Sequence, residues 1–253
     1  MKFQNCYLLL AALGSIANAG CLFADMELAD SEHAIVNGLV DTGHPSVARV
    51  LLTADTSPTA LTCTGVLISS NTVLTAGHCV TTGNTYRIDF DGGADFLGVA
   101  NRHPSYPSVD MAVVYTLDKI SRPFHAKIAT SVAVNTPITL SGYGRVAINA
   151  PFDGIKRYGT NVIDSVNASY FHFDTDLTSP PGTEAATCEG DSGGPAFKGG
   201  LDSDCVAGIT KGQFVEPGGT ACDASNGAWI HRRVDNELAW IRASSRDPVA
   251  TCK

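Results

Sequence analysis

Charge is scarce in this chain: of its 253 residues only 17% are charged, and 17 Lys and Arg against 25 Asp and Glu leave a net charge of −8. The shortage of basic residues gives nucleic acid or an anionic membrane surface no electrostatic footing. Low charge together with 44% hydrophobic residues also excludes a disordered chain and supplies a large core, as in one big all-β domain or two small ones. Long apolar runs are missing as well. Beyond the N-terminal leader no stretch approaches the roughly 20 residues that a membrane span needs, so no transmembrane segment is expected. Helical periodicity is nearly absent, and no repeat, low-complexity tract or linker divides the chain. Zinc-type spacing is absent too, since Cys63, Cys79, Cys188, Cys205, Cys222 and Cys252 include no C-x-x-C pair and no His-x-x-x-His accompanies them.

What is present begins with an export signal. Lys2 supplies a positive end, Tyr7 to Ile16 an apolar stretch and Ala17-Asn18-Ala19 a small-x-small cleavage pattern, so residues 1–19 are expected to be a secretory signal peptide. Ala19-Gly20-Cys21 also matches the end of a bacterial lipoprotein signal, and a lipid anchor at Cys21 stands as the alternative. Export makes the six remaining cysteines read as disulfide staples, with fifteen pairings open to the sequence.

The body of the chain has the texture of β-structure. Short apolar runs such as Val47–Leu52, Val66–Ile68, Tyr86–Phe90, Met111–Tyr115, Ile138–Leu140 and Cys205–Thr210 recur between clusters of Gly, Asn, Asp, Ser and Pro. Only the tail differs: Val234, Leu238, Ala239 and Ile241 fall at helical spacing, which predicts a short C-terminal amphipathic helix. Two packed β-barrels or one sandwich follow as the expected architecture.

Chemistry concentrates in three places. Gly190-Asp191-Ser192-Gly193-Gly194 sets a serine among glycines, where the amides of Gly190 and Ser192 can converge on one oxygen because no side chain blocks them. A plain surface turn is the competing reading, since these are turn residues. A serine hydroxyl needs a base to take its proton and a group to orient that base. His78, in "LTAGHC", is the one histidine with a distinctive setting, and Asp110 precedes the apolar "MAVV".

"LTAGHC", "DMAVV" and "GDSGGP", in that order, resemble the three signature blocks of the trypsin/chymotrypsin-like serine proteases, and "IVNG" and "SGYG" at Ile35–Gly38 and Ser141–Gly144 agree with them. The resemblance implies two six-stranded antiparallel Greek-key β-barrels with a short C-terminal helix, covering residues 35–253, and a serine endopeptidase that needs no metal or organic cofactor. It assigns Ser192 as nucleophile, His78 as base, Asp110 as its orienting partner, and the amides of Gly190 and Ser192 as the oxyanion hole. It also implies that residues 20–34 are a propeptide, that cleavage before Ile35 activates the protein, and that the new α-amino group pairs with Asp191. The residue before that cut is Ala34, which does not suit a trypsin-like activator. The implied pairings are Cys63–Cys79 and Cys188–Cys222, with Cys205–Cys252 as the remainder.

By the same resemblance Ala186, six residues before the serine, is the base of the specificity pocket, with Gly212 and Gly227 in its walls. Ala186 carries no charge, so an uncharged residue before the scissile bond is expected, unless Asp223 reaches the pocket from the second wall. "GITKGQ" departs from the family's Ser-aromatic-Gly run here. Expected partners are protein or peptide substrates and protein inhibitors of a secreted monomer. The rival reading is a catalytically inactive homologue acting as a secreted binding protein.

Overall fold

The computed structural model describes residues 35–53, 62–91, 93, 95–122, 125–176, 178–215, 222 and 227–253. The expected signal peptide and propeptide, with Cys21, lie outside the described residues, as does Asp223. Sixteen strands are described: β1 (Leu39–Val40), β2 (Val47–Leu52), β3 (Cys63–Ser69), β4 (Thr72–Thr75), β5 (Thr85–Asp89), β6 (Phe96–Arg102), β7 (Ala112–Thr116), β8 (Lys127–Ala129), β9 (Pro137–Gly142), β10 (Arg157–Val162), β11 (Ser165–Val166), β12 (Tyr170–Phe173), β13 (Pro195–Lys198), β14 (Cys205–Val215), β15 (Gly227–Arg233) and β16 (Thr251–Cys252). A single α-helix, α1 (Leu238–Ala243), is described near the end of the chain.

β2-β3-β4-β7-β6-β5 close into a six-stranded barrel, with β2 pairing β5 and β4 pairing β7. The chain must therefore cross the barrel mouth between β4 and β5, and His78 rides on that crossing. Alternation along the strands explains their almost continuous apolar runs, because both faces are buried. Ala48, Leu67, Val73, Ala112 and Val114 fill the barrel interior. Their neighbours Val47, Val66, Leu74 and Val113 turn to a second core shared with Phe197, Val206 and Ile209 of the other half.

That other half is also all-β, but as a curled sheet of ten strands rather than a closed six-stranded barrel. Its main path runs β1-β10-β9-β13-β14-β15-β12-β11, with β8 added beside β14 and β16 beside β8. The tail forms the expected helix, whose Ile241 is fully buried with Val234 in the core between the halves. Among the described residues no helix is long and apolar enough to cross a membrane.

Cys63–Cys79, Cys188–Cys222 and Cys205–Cys252 are bonded. The first pins the β4–β5 crossing to β3, the second spans 34 residues across the serine loop, and the third holds the C-terminus to β14.

His231, one of the histidines that carried no sequence signal, proves to be a core residue of β15. Its ring is fully buried, stacks on Phe171 at 5.1 Å and packs against Phe173 at 5.2 Å. Its Nε2 lies 3.0 Å from the Thr210 hydroxyl. Burial, helped by the positive charge of His172, pushes its pKa down to about 3, whereas the unfolded chain takes up a proton near pH 6.5. Folding therefore loses stability at this position as pH falls from about 6.5 toward 3. His231→Phe should reduce the acid sensitivity of the fold across that window, as read by thermal unfolding at pH 7, 5 and 4 for both proteins.

Candidate active site

His78 sits in a single 3₁₀ turn, Gly77–Cys79, directly after β4. Asp110 lies just before β7, which pairs with β4, so the ladder itself brings the two residues side by side. The contact is double: the His78 backbone N–H donates to Asp110 Oδ1 at 2.8 Å, and the ring Nδ1 lies 2.8 Å from Oδ2. An ionised carboxylate can only accept, so Nδ1 carries the proton and Nε2 is left with its lone pair. Burial alone would raise the Asp110 pKa, but the hydrogen bonds and charge of His78, with a smaller contribution from Lys211, outweigh it and hold the carboxyl below its ordinary value. Asp110 is nearly inaccessible, whereas the His78 side chain is 37% exposed.

Ser192 comes from the other half, on the loop entering β13. Its carbonyl accepts from Thr64 N–H of the barrel at 2.9 Å, and the Thr64 hydroxyl donates to the Gly190 carbonyl at 2.9 Å. Gly193 is required here: at φ +83° its backbone runs so close to β3 and β4 that a Cβ would come within 2.1 Å of the Thr75 hydroxyl oxygen. Among the described residues neither the Gly190 nor the Ser192 amide has an acceptor within the chain, so both remain available to an incoming oxygen. Ser192 and His78 line one cavity of about 370 Å³. No hydrogen bond joins their side chains, and proton transfer requires them to close to about 2.6–3.2 Å once a substrate is bound.

Asp191, the neighbour of that serine, is 1% exposed. Its carboxylate accepts from Gly144 N–H at 2.8 Å and Cys188 N–H at 2.9 Å, and from the backbone N–H of Ile35. The Ile35 side chain is fully buried in the core of the second half. A Cβ on Gly144 would fall 2.5 Å from the carboxylate, so glycine is what admits it.

A second, smaller cavity of about 170 Å³ touches Ser192 without His78 and lies between Thr187–Glu189 and Gly212, Gln213 and Cys222. The sulfurs of Cys63 and Cys79 lie close to the His78 ring, but they are bonded to one another and offer no thiolate to a metal.

A family model described as Trypsin matches residues 35–241. The chain belongs to the trypsin family. It is 27% identical over 209 residues to "Chymotrypsin-like elastase family member 1" of Bos taurus, covering 71% of this chain and 77% of the relative. With "Serine protease SP24D" of Anopheles gambiae the identity is 30% over 210 residues, covering 74% of this chain and 73% of the relative. The solved structure titled "HL collagenase" aligns with a TM-score of 0.66 at 21% identity, over 85% of this chain and 100% of the other; that likeness concerns the fold.

Within this trypsin-family chain the residues expected around the specificity pocket lie in different settings. Gly212 lines the smaller cavity, and Gly227 stands in β15 opposite Val215. Ala186 does not line it: fully buried, it pairs with Val36 and belongs to the same core as Ile35. Trp229, also fully buried, donates its indole Nε1–H to the Thr187 carbonyl at 2.7 Å. It packs in one cluster with Ala186, Cys188 and Cys222. An aromatic at the end of "CDASNGAW" was the visible signal, but only strand pairing shows which way it faces. Lys211 occupies a bulge in β14 between Thr210 and Gly212, over the face of Tyr170 at 5.0 Å.

Burial pushes the Asp191 carboxyl up to about 7, despite its hydrogen bonds from Cys188, Gly144 and Ile35. An unfolded Asp titrates near 3.9, so folding takes up a proton between about pH 4 and 7 and stability at this site falls as pH rises through that window. This sign is opposite to that of His231. In chemical denaturation, the stability of the parent relative to Asp191→Asn should decline from pH 4 to 7; an unchanging difference would mean that the carboxyl is already ionised at the acid end.

Proposed function

We propose that this protein is a secreted serine endopeptidase that works through His78, Asp110 and Ser192. The observation that carries the reading is the double grip of Asp110 on His78, a residue that lines one cavity with Ser192. In this reading Ser192 attacks the substrate carbonyl as His78 Nε2 takes its proton, and Asp110 stabilises the imidazolium that results. The free amides of Gly190 and Ser192 receive the negative oxygen, a contribution of about 10²–10³ in rate per donor. His78 then returns the proton to the leaving amine, an acyl group remains on Ser192, and water releases it by the same route.

Cleavage before Ile35 fits two features of the fold. The Ile35 N–H already points at Asp191, so a free α-ammonium there would replace a neutral donor with a charge beside a buried carboxylate. Ile35 also holds φ +52°, a region that costs a β-branched residue roughly 1–3 kcal/mol. Removing residue 34 abolishes that torsion and its strain. The three disulfides suit an oxidising, extracytoplasmic compartment.

Selectivity before the scissile bond follows from the smaller cavity. Among its described lining residues only Glu189 is charged, at an exposed position and ion-paired to Arg145 at 3.4 Å. A small uncharged residue such as Ala is the expected choice.

Purified protein, its N-terminus read by sequencing, should hydrolyse peptide p-nitroanilides ending in Ala or Val in preference to Phe or Arg. Ser192→Ala should abolish the activity, and Asp110→Asn should lower kcat by about 10⁴. Preference for Arg would overturn the pocket reading. No turnover from material that begins at Ile35 would favour the inactive binding homologue instead.

A further inference from the structure

Lys211 is the only charged residue of β14, and it stands beside the serine loop. Its neighbour Thr210 ties β14 to that loop: the Thr210 carbonyl accepts from Gly193 N–H at 2.8 Å, and the Thr210 N–H donates to the Gly194 carbonyl at 2.9 Å. Lys211 follows in the bulge between Thr210 and Gly212. Its ammonium is fixed by Tyr170, donating to the phenol oxygen at 3.3 Å and lying 5.0 Å from the ring centre. Arg232 lies over the same ring at 5.4 Å, but its charge is met by Glu237. Among the described residues no carboxylate pairs with Lys211, so its positive charge is not cancelled locally.

Asp110 feels that charge. Burial opposes the Asp110 carboxylate, the hydrogen bonds and charge of His78 outweigh burial, and the charge of Lys211 adds to them. The other charged and titratable groups around the Asp110–His78 pair are engaged elsewhere. Arg102 donates its Nε–H to the Gly77 carbonyl at 2.8 Å and lies over the Tyr106 ring at 4.4 Å. His103 faces Glu237 at 3.5 Å and packs on Trp240, and Glu189 is paired with Arg145.

A fixed positive charge acts on this pair in one direction. It favours the carboxylate and disfavours a second positive charge on the imidazole, so the pair keeps the form in which Nε2 can accept a proton down to lower pH. On the endopeptidase reading above, we infer that Lys211, clamped by Tyr170, is a positioning residue for the Asp110–His78 pair whose charge extends activity into mildly acidic solution. It acts through the pair and does not itself touch the reacting atoms. An aromatic side chain in its place, as in the Ser-aromatic-Gly run from which "GITKGQ" departs, carries no such charge.

The test is the pH profile of kcat/KM on an uncharged, N-acetylated Ala p-nitroanilide in low salt, with the purified full chain as processed by its host. In Lys211→Met the acid limb should move to higher pH by about half a unit, the effect of one charge acting through a partly aqueous medium, which is about a threefold loss on that limb relative to the variant's own plateau. Lys211→Gln should behave alike, Lys211→Arg should leave the limb in place because it keeps the charge, and Tyr170→Ala should move it part-way. In high salt the parent and Lys211→Met profiles should converge. Thermal unfolding verifies that each variant is folded. A lowered plateau with an unmoved limb would show a merely structural role and overturn the inference, as would an equal shift in Lys211→Arg. If the parent hydrolyses the substrate and all limbs coincide, this inference fails alone; if material beginning at Ile35 hydrolyses nothing, the endopeptidase reading fails and this one with it.

Discussion

A buried carboxylate with three backbone donors organises this molecule around its serine. Asp191 gathers N–H groups from Ile35 at the start of the domain, Gly144 at the end of β9 and Cys188 beside the serine loop. These segments are far apart in sequence, and each shapes a different part of the cleft. The Ile35 contact seats the N-terminal segment in the second core, the Gly144 contact sets the floor under Gly190, and the Cys188 contact aligns the wall of the smaller cavity. Burying a carboxylate is unfavourable unless it is hydrogen-bonded or paired, so the three contacts depend on one another, and altering any one disturbs the geometry of Ser192 through its immediate neighbour.

The cleft lies at the junction of the two halves for a packing reason. β2, β3, β4 and β7 of the barrel bury one face inward and set residues of the other into the core shared with the second half, and the connections that carry the site cross at the mouth. His78 and Asp110 enter from the barrel side through the β4–β7 pairing, and Ser192 enters from the other side, held to β3 by Thr64 and Gly193. Hydrogen bonds from Thr64 to both Ser192 and Gly190 are the stitch that fixes the serine loop relative to the histidine. Such positioning is the part of catalysis that a scaffold can supply before any substrate arrives.

The two cavities at the serine are lined mainly by uncharged groups. Trp229 packs with Cys188 and Cys222 and donates to Thr187 beside the smaller cavity, while beside the larger one Val50 and Tyr86 are buried and Leu52 is exposed. Lys211, in the β14 bulge, leans on Tyr170 and contributes to keeping Asp110 ionised. The charged groups around this cleft therefore act on the catalytic geometry or on one another, and the cavities themselves are largely apolar.

How much of this was legible beforehand varies with the range of the interaction. Alternating and doubly buried strands announce themselves because side-chain direction along a strand is a local property, and the short C-terminal helix was readable for the same reason. The serine, histidine and aspartate stood out because their neighbours are unusual in kind: glycines at 193 and 144 that admit close contacts, and a cysteine that staples the histidine turn. The order of these segments was thus visible in the chain itself. By contrast, the ten-strand count of the second half, the core position of His231 and the burial of Ala186 arise from pairings between residues distant in sequence. The clearest case is Trp229: its presence was plain, but whether it lined, capped or backed the pocket depended on the β14–β15 register and on a hydrogen bond to Thr187, 42 residues away. The sequence by itself determined the all-β class and the chemical groups on hand; only the tertiary structure decided the depth and balance of the two cavities, because volume is what remains after distant segments have packed.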